Sequence, residues 1–307
     1  MDQAHNLRKL VQLQKDIDEN KVNATLLQKT SQEKHNTKII AITSGKGGVG
    51  KTSITMNLAL SLSRESKKKV LVLDADFGTA NIDIVIGIFP KFNISHVILE
   101  GKPIEDVLID APLDVKILSG VSGVIKLNTI SNEQRTFFFE QLEKYQSKHQ
   151  PDFILIDTGA GVGDNVIGFL QSADEVLLVV TPEPTSLSDA YSIIKTMHNQ
   201  VQDIKFNVLV NMAQSKDQAK RIFNTLNTVS DRFLQKKLNF IGHLSYTHSM
   251  TSSIRQQKPL ILSYPNSETS LEILNLSNYI ANKEFFQHKG LKNFFKIASK
   301  YFGWNND

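Results

Sequence analysis

The stretch Ser44-Gly45-Lys46-Gly47-Gly48-Val49-Gly50-Lys51-Thr52 decides how this chain folds. It follows the apolar run Ile39-Ile40-Ala41-Ile42 and opens onto a helix-compatible run from Ser53 to Leu62. A strand, a glycine-rich loop and a helix, in that order, are the context in which this spacing means a phosphate-binding P-loop. Gly45, Gly47, Gly48 and Gly50 let the backbone bend around an anion with its N–H groups pointing inward. The helix N-terminus places a partial positive charge beneath the same anion. Lys51 can reach the β- and γ-phosphates of a nucleotide, and the Thr52 hydroxyl suits Mg²⁺, a hard cation that prefers oxygen. Val49, inside the loop, and Ser53, at the helix start, complete the expected nucleotide-binding set.

Working outward, strand and helix patterns alternate from residue 38 to about residue 282. Val70 to Leu73, Phe153 to Ile156, Val176 to Val180 and Phe206 to Val210 are apolar runs, as expected of parallel strands buried on both faces. Helical patterns lie among them, such as Glu133 to Tyr145 and Leu187 to Met197. This order predicts an α/β fold, a doubly wound and mostly parallel sheet with helices on both faces. Ligands in such sheets bind at the carboxyl ends of the strands. Three of these runs end in polar residues: Asp74 and Asp76, then Asp157 followed by Thr158-Gly159-Ala160-Gly161, then Asn211. An apolar strand ending in Asp157 and then glycines has the form of a Walker B segment, with the carboxylate holding Mg²⁺ through water.

Lys46 is surplus to a generic P-loop, and a second lysine so near Lys51 is repelled unless another anion receives it. Here the sequence resembles the deviant Walker A ATPases of the MinD and ParA family, whose motif KGGVGK[ST] is matched from Lys46 to Thr52. The resemblance implies that Lys46 crosses a dimer interface to the phosphates bound by the other subunit. Phe77-Gly78-Thr79-Ala80-Asn81-Ile82-Asp83 resembles switch I of the MinD branch. By that resemblance Asp76 orients the attacking water and Asp74 helps organise the metal site, although either carboxylate could instead cap the following turn. By the same resemblance Asn211 falls at the adenine-reading position, although asparagine is also a common turn former. With no Asn-Lys-x-Asp tetrad in the chain, the nucleotide implied is ATP rather than GTP.

The 307 residues allow one large domain or two small ones, and the composition, 40% hydrophobic and 21% charged with a net charge of +4, is that of a folded globular chain. Zero cysteines exclude disulfides and thiolate metal sites, iron–sulfur ligation included. The polar start Met1-Asp2-Gln3-Ala4-His5-Asn6 has no signal-peptide core, and no run approaches the roughly 18 apolar residues of a membrane span. A cytoplasmic protein with at most peripheral membrane contact is expected.

The two ends carry signals of their own. Residues 2 to 14 form an amphipathic pattern with Ala4, Leu7, Leu10 and Val11 on one face, ahead of a polar stretch from Asp18 to Lys38. Such a helix either packs on the domain or, tethered, serves a partner. Asp2-Gln3-Ala4 followed by Leu7-Arg8 resembles the DQAxxLR element of the FlhG family (also called FleN or YlxH), MinD-like regulators of flagella. The resemblance implies that these residues stimulate FlhF, a GTPase of the signal-recognition-particle type.

In the tail, Leu291, Phe294, Phe295, Ile297, Ala298, Tyr301, Phe302 and Trp304 share one side of a helical wheel, with Lys292, Lys296, Ser299 and Lys300 opposite. Five lysines against Glu284 and Asp307 give residues 283–307 a net charge of +3. Bulky aromatics facing lysines describe a helix lying in an anionic bilayer surface; the other reading is a last helix packed on the sheet.

The expected organisation is therefore a partner-binding arm over 1–37, an ATPase domain over 38–282 and a membrane-targeting tail over 283–307. ATP would drive homodimerisation and, by doubling the tails, membrane attachment. The family further implies control of flagellar number or placement, with a transcriptional activator and switch-complex components as additional partners. A MinD-type division regulator should lack the Asp2–Arg8 element, and a ParA-type partition ATPase should carry a basic surface for the phosphate backbone of DNA. An interaction protein with a vestigial ATPase should have lost at least one of Lys46, Lys51, Thr52, Asp76 and Asp157.

Overall fold

The structure, a computed structural model, describes residues 37–76, 81–120, 131–201, 204–283, 294 and 297. Residues 1–36 form a unit separate from residues 37–307. The arm residues Asp2, Gln3, Ala4, Leu7 and Arg8, and the tail residues Leu291, Lys292, Phe295, Lys296, Ala298 and Phe302, lie outside the described residues.

Among the described residues, eight strands form one sheet: β1 (Lys38–Ser44), β2 (Val70–Ala75), β3 (Ile109–Asp110), β4 (Lys116–Leu118), β5 (Phe153–Ala160), β6 (Glu175–Val180), β7 (Phe206–Ala213) and β8 (Asn239–Ser245). Their order is β3-β4-β2-β5-β1-β6-β7-β8. Every neighbouring pair is parallel except β3 with β4. The expected doubly wound α/β fold is present. β1, β5 and β7 outrun their apolar cores by continuing into polar residues toward the carboxyl end.

The side chains of β1 show how the two layers arise. Ile39 and Ala41 join a core with Phe138, Leu142, Phe169 and Ile193; Ile40 and Ile42 join another with Met56, Leu60, Ile273 and Leu276. This two-residue alternation assigns the helices to faces. On the first face lie α4 (Asn132–His149), α5 (Asp164–Ser172), α6 (Pro184–Gln200) and α7 (Lys216–Leu234). On the second lie α1 (Lys51–Ser66) and α10 (Glu268–Asn282). The shorter helices are α2 (Ile82–Ile86), α3 (Ile94–Glu100), α8 (His248–Arg255) and α9 (Leu260–Ser263). No helix among the described residues is long and apolar enough to cross a membrane.

Phe294, read from the sequence as a bilayer-facing residue, is buried here with the α4–α7 layer at 3% exposure. Its ring stacks on Phe169 of α5, with centroids 6.4 Å apart and planes at 29°. In this conformation the ring is a core residue, because the sheet face offers a larger apolar surface than water does.

Candidate functional site

The loop between β1 and α1 is shaped by close approaches as much as by its glycines. At Gly45 an added Cβ would lie 2.2 Å from the backbone of Asp189 in α6, so only glycine lets the loop meet that helix. Gly50 has φ 90°, and its missing Cβ would lie 2.7 Å from Asn211 Nδ2. α1 then begins at Lys51 with no capping side chain and no acidic residue in its first turn. Its first N–H groups and its dipole are left for an anion.

Beside this loop stand the carboxylates. Asp157 of β5 is in register with Asp74 of β2 and with Ile42 of β1, which puts both carboxylates next to the P-loop. Both are buried. Burial pushes the Asp74 carboxyl up to about 8, with Asp157 adding to the shift. Burial also raises Asp157, to about 6, against the hydroxyls of Thr52 and Thr55 and the charge of Lys51, which hold it down. Lys51 is itself lowered by burial and raised in turn by Asp157 and Asp76. Two desolvated carboxylates side by side are costly unless a cation is placed between them.

That donor set is all oxygen and suits Mg²⁺. No cluster of three or more His, Cys, Asp or Glu side chains able to hold a metal exists among the described residues. Thr52, Asp157 and Asp74 would fill only part of a Mg²⁺ shell, leaving the remainder to phosphate and water.

Asp74 does something more local. Its Oδ1 accepts from the Asp76 N–H at 3.1 Å, and its Oδ2 accepts from the N–H groups of Asn81 and Ile82 at 3.3 and 3.4 Å. The carboxylate thus holds the backbone of Asp76, Asn81 and Ile82, the capping role that the sequence left open. Asp76 faces β5: a Cβ on Gly159 would lie 3.6 Å from its Oδ1. Beyond β5, Gly161 N–H donates to the Ser44 carbonyl at 3.0 Å, joining the Walker B segment to the foot of the P-loop.

The remaining expected residues converge on the same edge. Asn211 is buried near the carboxyl end of β7, and its Nδ2 donates to the Val49 carbonyl at 2.8 Å. Lys46 pairs within its own chain: its Nζ lies 2.7 Å from Glu183 Oε2 and 3.3 Å from Thr185 Oγ1. The Glu183 hydrogen bond and charge raise the ammonium pKa.

A cavity of about 70 Å³ opens beside Asn211, lined by Gly50, Ser53, Met212, Ser245, Tyr246 and Met250 among others. Its far wall, drawn from Ser245 to Thr251, lies in a stretch from residue 212 to 282 where the sequence offers little chemistry. β8 is an edge strand with only Leu244 buried, so no apolar run marks it. The one available signal was position: a loop after a strand beyond Asn211 falls at the carboxyl edge.

The fold and this edge define a P-loop nucleoside triphosphatase. The chain belongs to the ParA family, whose model, described as "NUBPL iron-transfer P-loop NTPase", matches residues 35–281. With no cysteine in the chain, thiolate ligation of an iron–sulfur cluster is not available to it.

Among curated relatives, the antiactivator FleN of Pseudomonas aeruginosa is 38% identical over 237 residues, covering 77% of this chain and 84% of that one. The flagellum site-determining protein YlxH of Helicobacter pylori is 33% identical over 275 residues, covering 88% and 92%. Among solved structures, MinD of Aquifex aeolicus superposes with a TM-score of 0.64 at 25% identity, over 81% of this chain and 98% of that one. MinD of Pyrococcus horikoshii, solved with Mg-ADP, shares the fold with a TM-score of 0.63 at 22% identity, over 80% and 96%.

Proposed function

We propose that the protein is an ATP-hydrolysing switch that dimerises on ATP, attaches peripherally to the inner face of the cell membrane and regulates flagellar number or placement. One observation carries the reading: Lys46 and Lys51 stand on one loop at the carboxyl edge where Asp76 and Asp157 also end. Lys51 and the α1 N-terminus bind the phosphates. Asp76 orients the attacking water, and Asp157 with Thr52 holds Mg²⁺, which supplies charge neutralisation on the phosphates. With Asn211 Nδ2 committed to Val49, its Oδ1 remains as the acceptor for the amino group of adenine, where guanine presents a carbonyl. Lys46, held on a flexible surface contact, is the residue that reaches across to a second copy.

The flagellar assignment rests on the likeness to FleN and YlxH. The resemblance of Asp2-Gln3-Ala4 and Leu7-Arg8 to the DQAxxLR element is what supports stimulation of an FlhF-type GTPase by residues 2–8, with a transcriptional activator and switch-complex components as further partners. The decisive experiment saturates the full-length protein with Mg²⁺ and a non-hydrolysable ATP analogue and measures its mass by light scattering. A dimer is expected; a persistent monomer would sink the switch and everything attached to it. Phosphate release in the presence of ATP, rising with lipid and partner, is the companion readout that separates an enzyme from a vestigial fold.

A further inference from the structure

The wall of the cavity opposite Asn211 is held from outside the site. Ser245 ends β8, and its N–H donates to Glu272 Oε2 at 2.7 Å while its hydroxyl donates to Glu272 Oε1 at 2.7 Å. Its carbonyl accepts from the Thr269 hydroxyl at 3.1 Å. Two residues on, the Thr247 hydroxyl lies 2.9 Å from that same Thr269 hydroxyl. Both Glu272 and Thr269 belong to α10, one turn apart on one face. Tyr246, between them, is tied to β7 by its N–H donating to the Ala213 carbonyl at 2.9 Å. His243 Nε2, two residues back along β8, lies 3.3 Å from Glu272 Oε1 and completes the surroundings of the carboxylate.

α10 is in turn fixed to the helix that carries Lys51. Ser277 and Ser61 hydroxyls lie 2.8 Å apart, and Ile273 and Leu276 share the apolar layer of α1. The phosphate end of the site and this wall therefore rest on one rigid pair of helices. A wall segment with two side-chain clamps has few conformations left to lose when a ligand arrives, which is the condition for tight binding.

We propose that Glu272 is a positioning residue for the nucleotide base: acting through Ser245, and with Thr269 beside it, it fixes the Ser245–Thr247 wall against which the base packs. This rests on the reading of the cavity beside Asn211 as the base pocket. Glu272 itself touches no ligand, so its effect is confined to the part of the affinity that the base contributes.

The test compares Mg-ATP with Mg-tripolyphosphate, which has the phosphates without the base, by calorimetric titration of the full chain. Glu272→Ala should weaken ATP roughly tenfold and leave tripolyphosphate within about twofold, since a part-buried donor pair loses its partner. The KM for ATP should rise by a like factor, with kcat within about twofold. Glu272→Gln, whose amide oxygen still accepts one Ser245 bond, should recover most of the loss. Equal weakening of both ligands, or unchanged ATP affinity, would overturn the proposal. Should Glu272→Ala not fold, Ser245→Ala removes a single bond and should weaken ATP about threefold with tripolyphosphate unchanged; wild-type ATP affinity in that variant overturns the proposal equally. If the unaltered protein binds ATP no better than tripolyphosphate, the base pocket itself is refuted and the proposal goes with it. An intact preference for ATP with an unaffected variant refutes Glu272 alone.

Discussion

Lys46 Nζ and Glu183 Oε2 are 2.7 Å apart within a single chain, on a pair that is open to water. Exposed ion pairs are weak and are screened by salt. That weakness suits the role proposed for this lysine, reaching the phosphates bound by a second copy. Lys46→Ala should therefore keep ATP affinity within a few fold and lose the ATP-dependent dimer. Glu183→Gln removes the holding charge and should lower the protein concentration for half-dimerisation by roughly twofold to fivefold at low salt, an advantage that fades as salt rises. Sedimentation of both variants across salt concentrations checks this; an unchanged dimer in Lys46→Ala removes the lysine from the interface.

Asp76 and Asp157 should fail in different ways. Asp76 lies opposite Gly159, in the water-orienting position proposed for it, so Asp76→Ala should slow phosphate release by about a hundredfold or more while ATP still binds. Asp157 sits among Thr52, Thr55 and Lys51. Asp157→Asn should instead lose most of the gain in nucleotide affinity that Mg²⁺ provides. Titrations with and without EDTA, beside single-turnover rates, tell the two apart. Undiminished turnover in Asp76→Ala would reassign the water-orienting role.

Two neighbouring glycines provide a matched comparison. A Cβ on Gly45 meets the Asp189 backbone at 2.2 Å, whereas a Cβ on Gly47 meets nothing within 4 Å. Gly45→Ala should cost about 1–3 kcal/mol of folding stability, and Gly47→Ala well under 1 kcal/mol. Urea midpoints decide it, and equal effects would show that the loop can move off α6.

What the sequence made legible is what physics writes locally. The apolar runs at β2, β5, β6 and β7 are long enough to need burial on both faces, so their place in a parallel sheet could be read directly. The P-loop was legible because its geometry depends on neighbours in sequence. Lys46 with Glu183 and Asn211 with Val49 are separated by 137 and 162 positions, and no local pattern fixes such pairs. The base-pocket wall was missed for a further reason: β8 has one fully buried side chain, so its strand character comes from pairing with β7. α2 and α3, five and seven residues long, are too short for periodicity to show.

Lys38 offers a pH test. It is buried at the start of β1, with its Nζ 4.0 Å from Glu175 Oε2 and 5.6 Å from the centre of the Phe153 ring. Burial, opposed by Glu175 and aided by Lys283, lowers its pKa from 10.5 to about 7. Below about 7 the ammonium is charged in both states, and the cost of burying it is present in full. Between about 7 and 10.5 only the unfolded chain holds the proton, so this cost is relieved as pH rises. Lys38→Met should thus gain more over the unaltered protein at pH 6.5 than at pH 9. Equal differences in urea midpoint at both values would show that the lysine is not held in this way.

Phe294 cannot rest on Phe169 and lie in a bilayer at the same time, so core packing and lipid contact compete for one ring. Its burial at 3% predicts a stability loss of about 3 kcal/mol for Phe294→Ala. The lysines that follow, Lys296 and Lys300, with Lys289 and Lys292 before, are each worth about 1 kcal/mol near an anionic surface. Removing residues 289–307 should therefore abolish co-sedimentation with vesicles rich in anionic lipid, and raising salt should weaken binding of the full chain in the same direction. Phe294→Ala should lose part of both properties, being less stable and less retained by vesicles. Retention of the truncated protein on those vesicles would refute the tail as the lipid-binding element, whereas a Phe294→Ala variant destabilised but fully retained would leave the ring to the core alone.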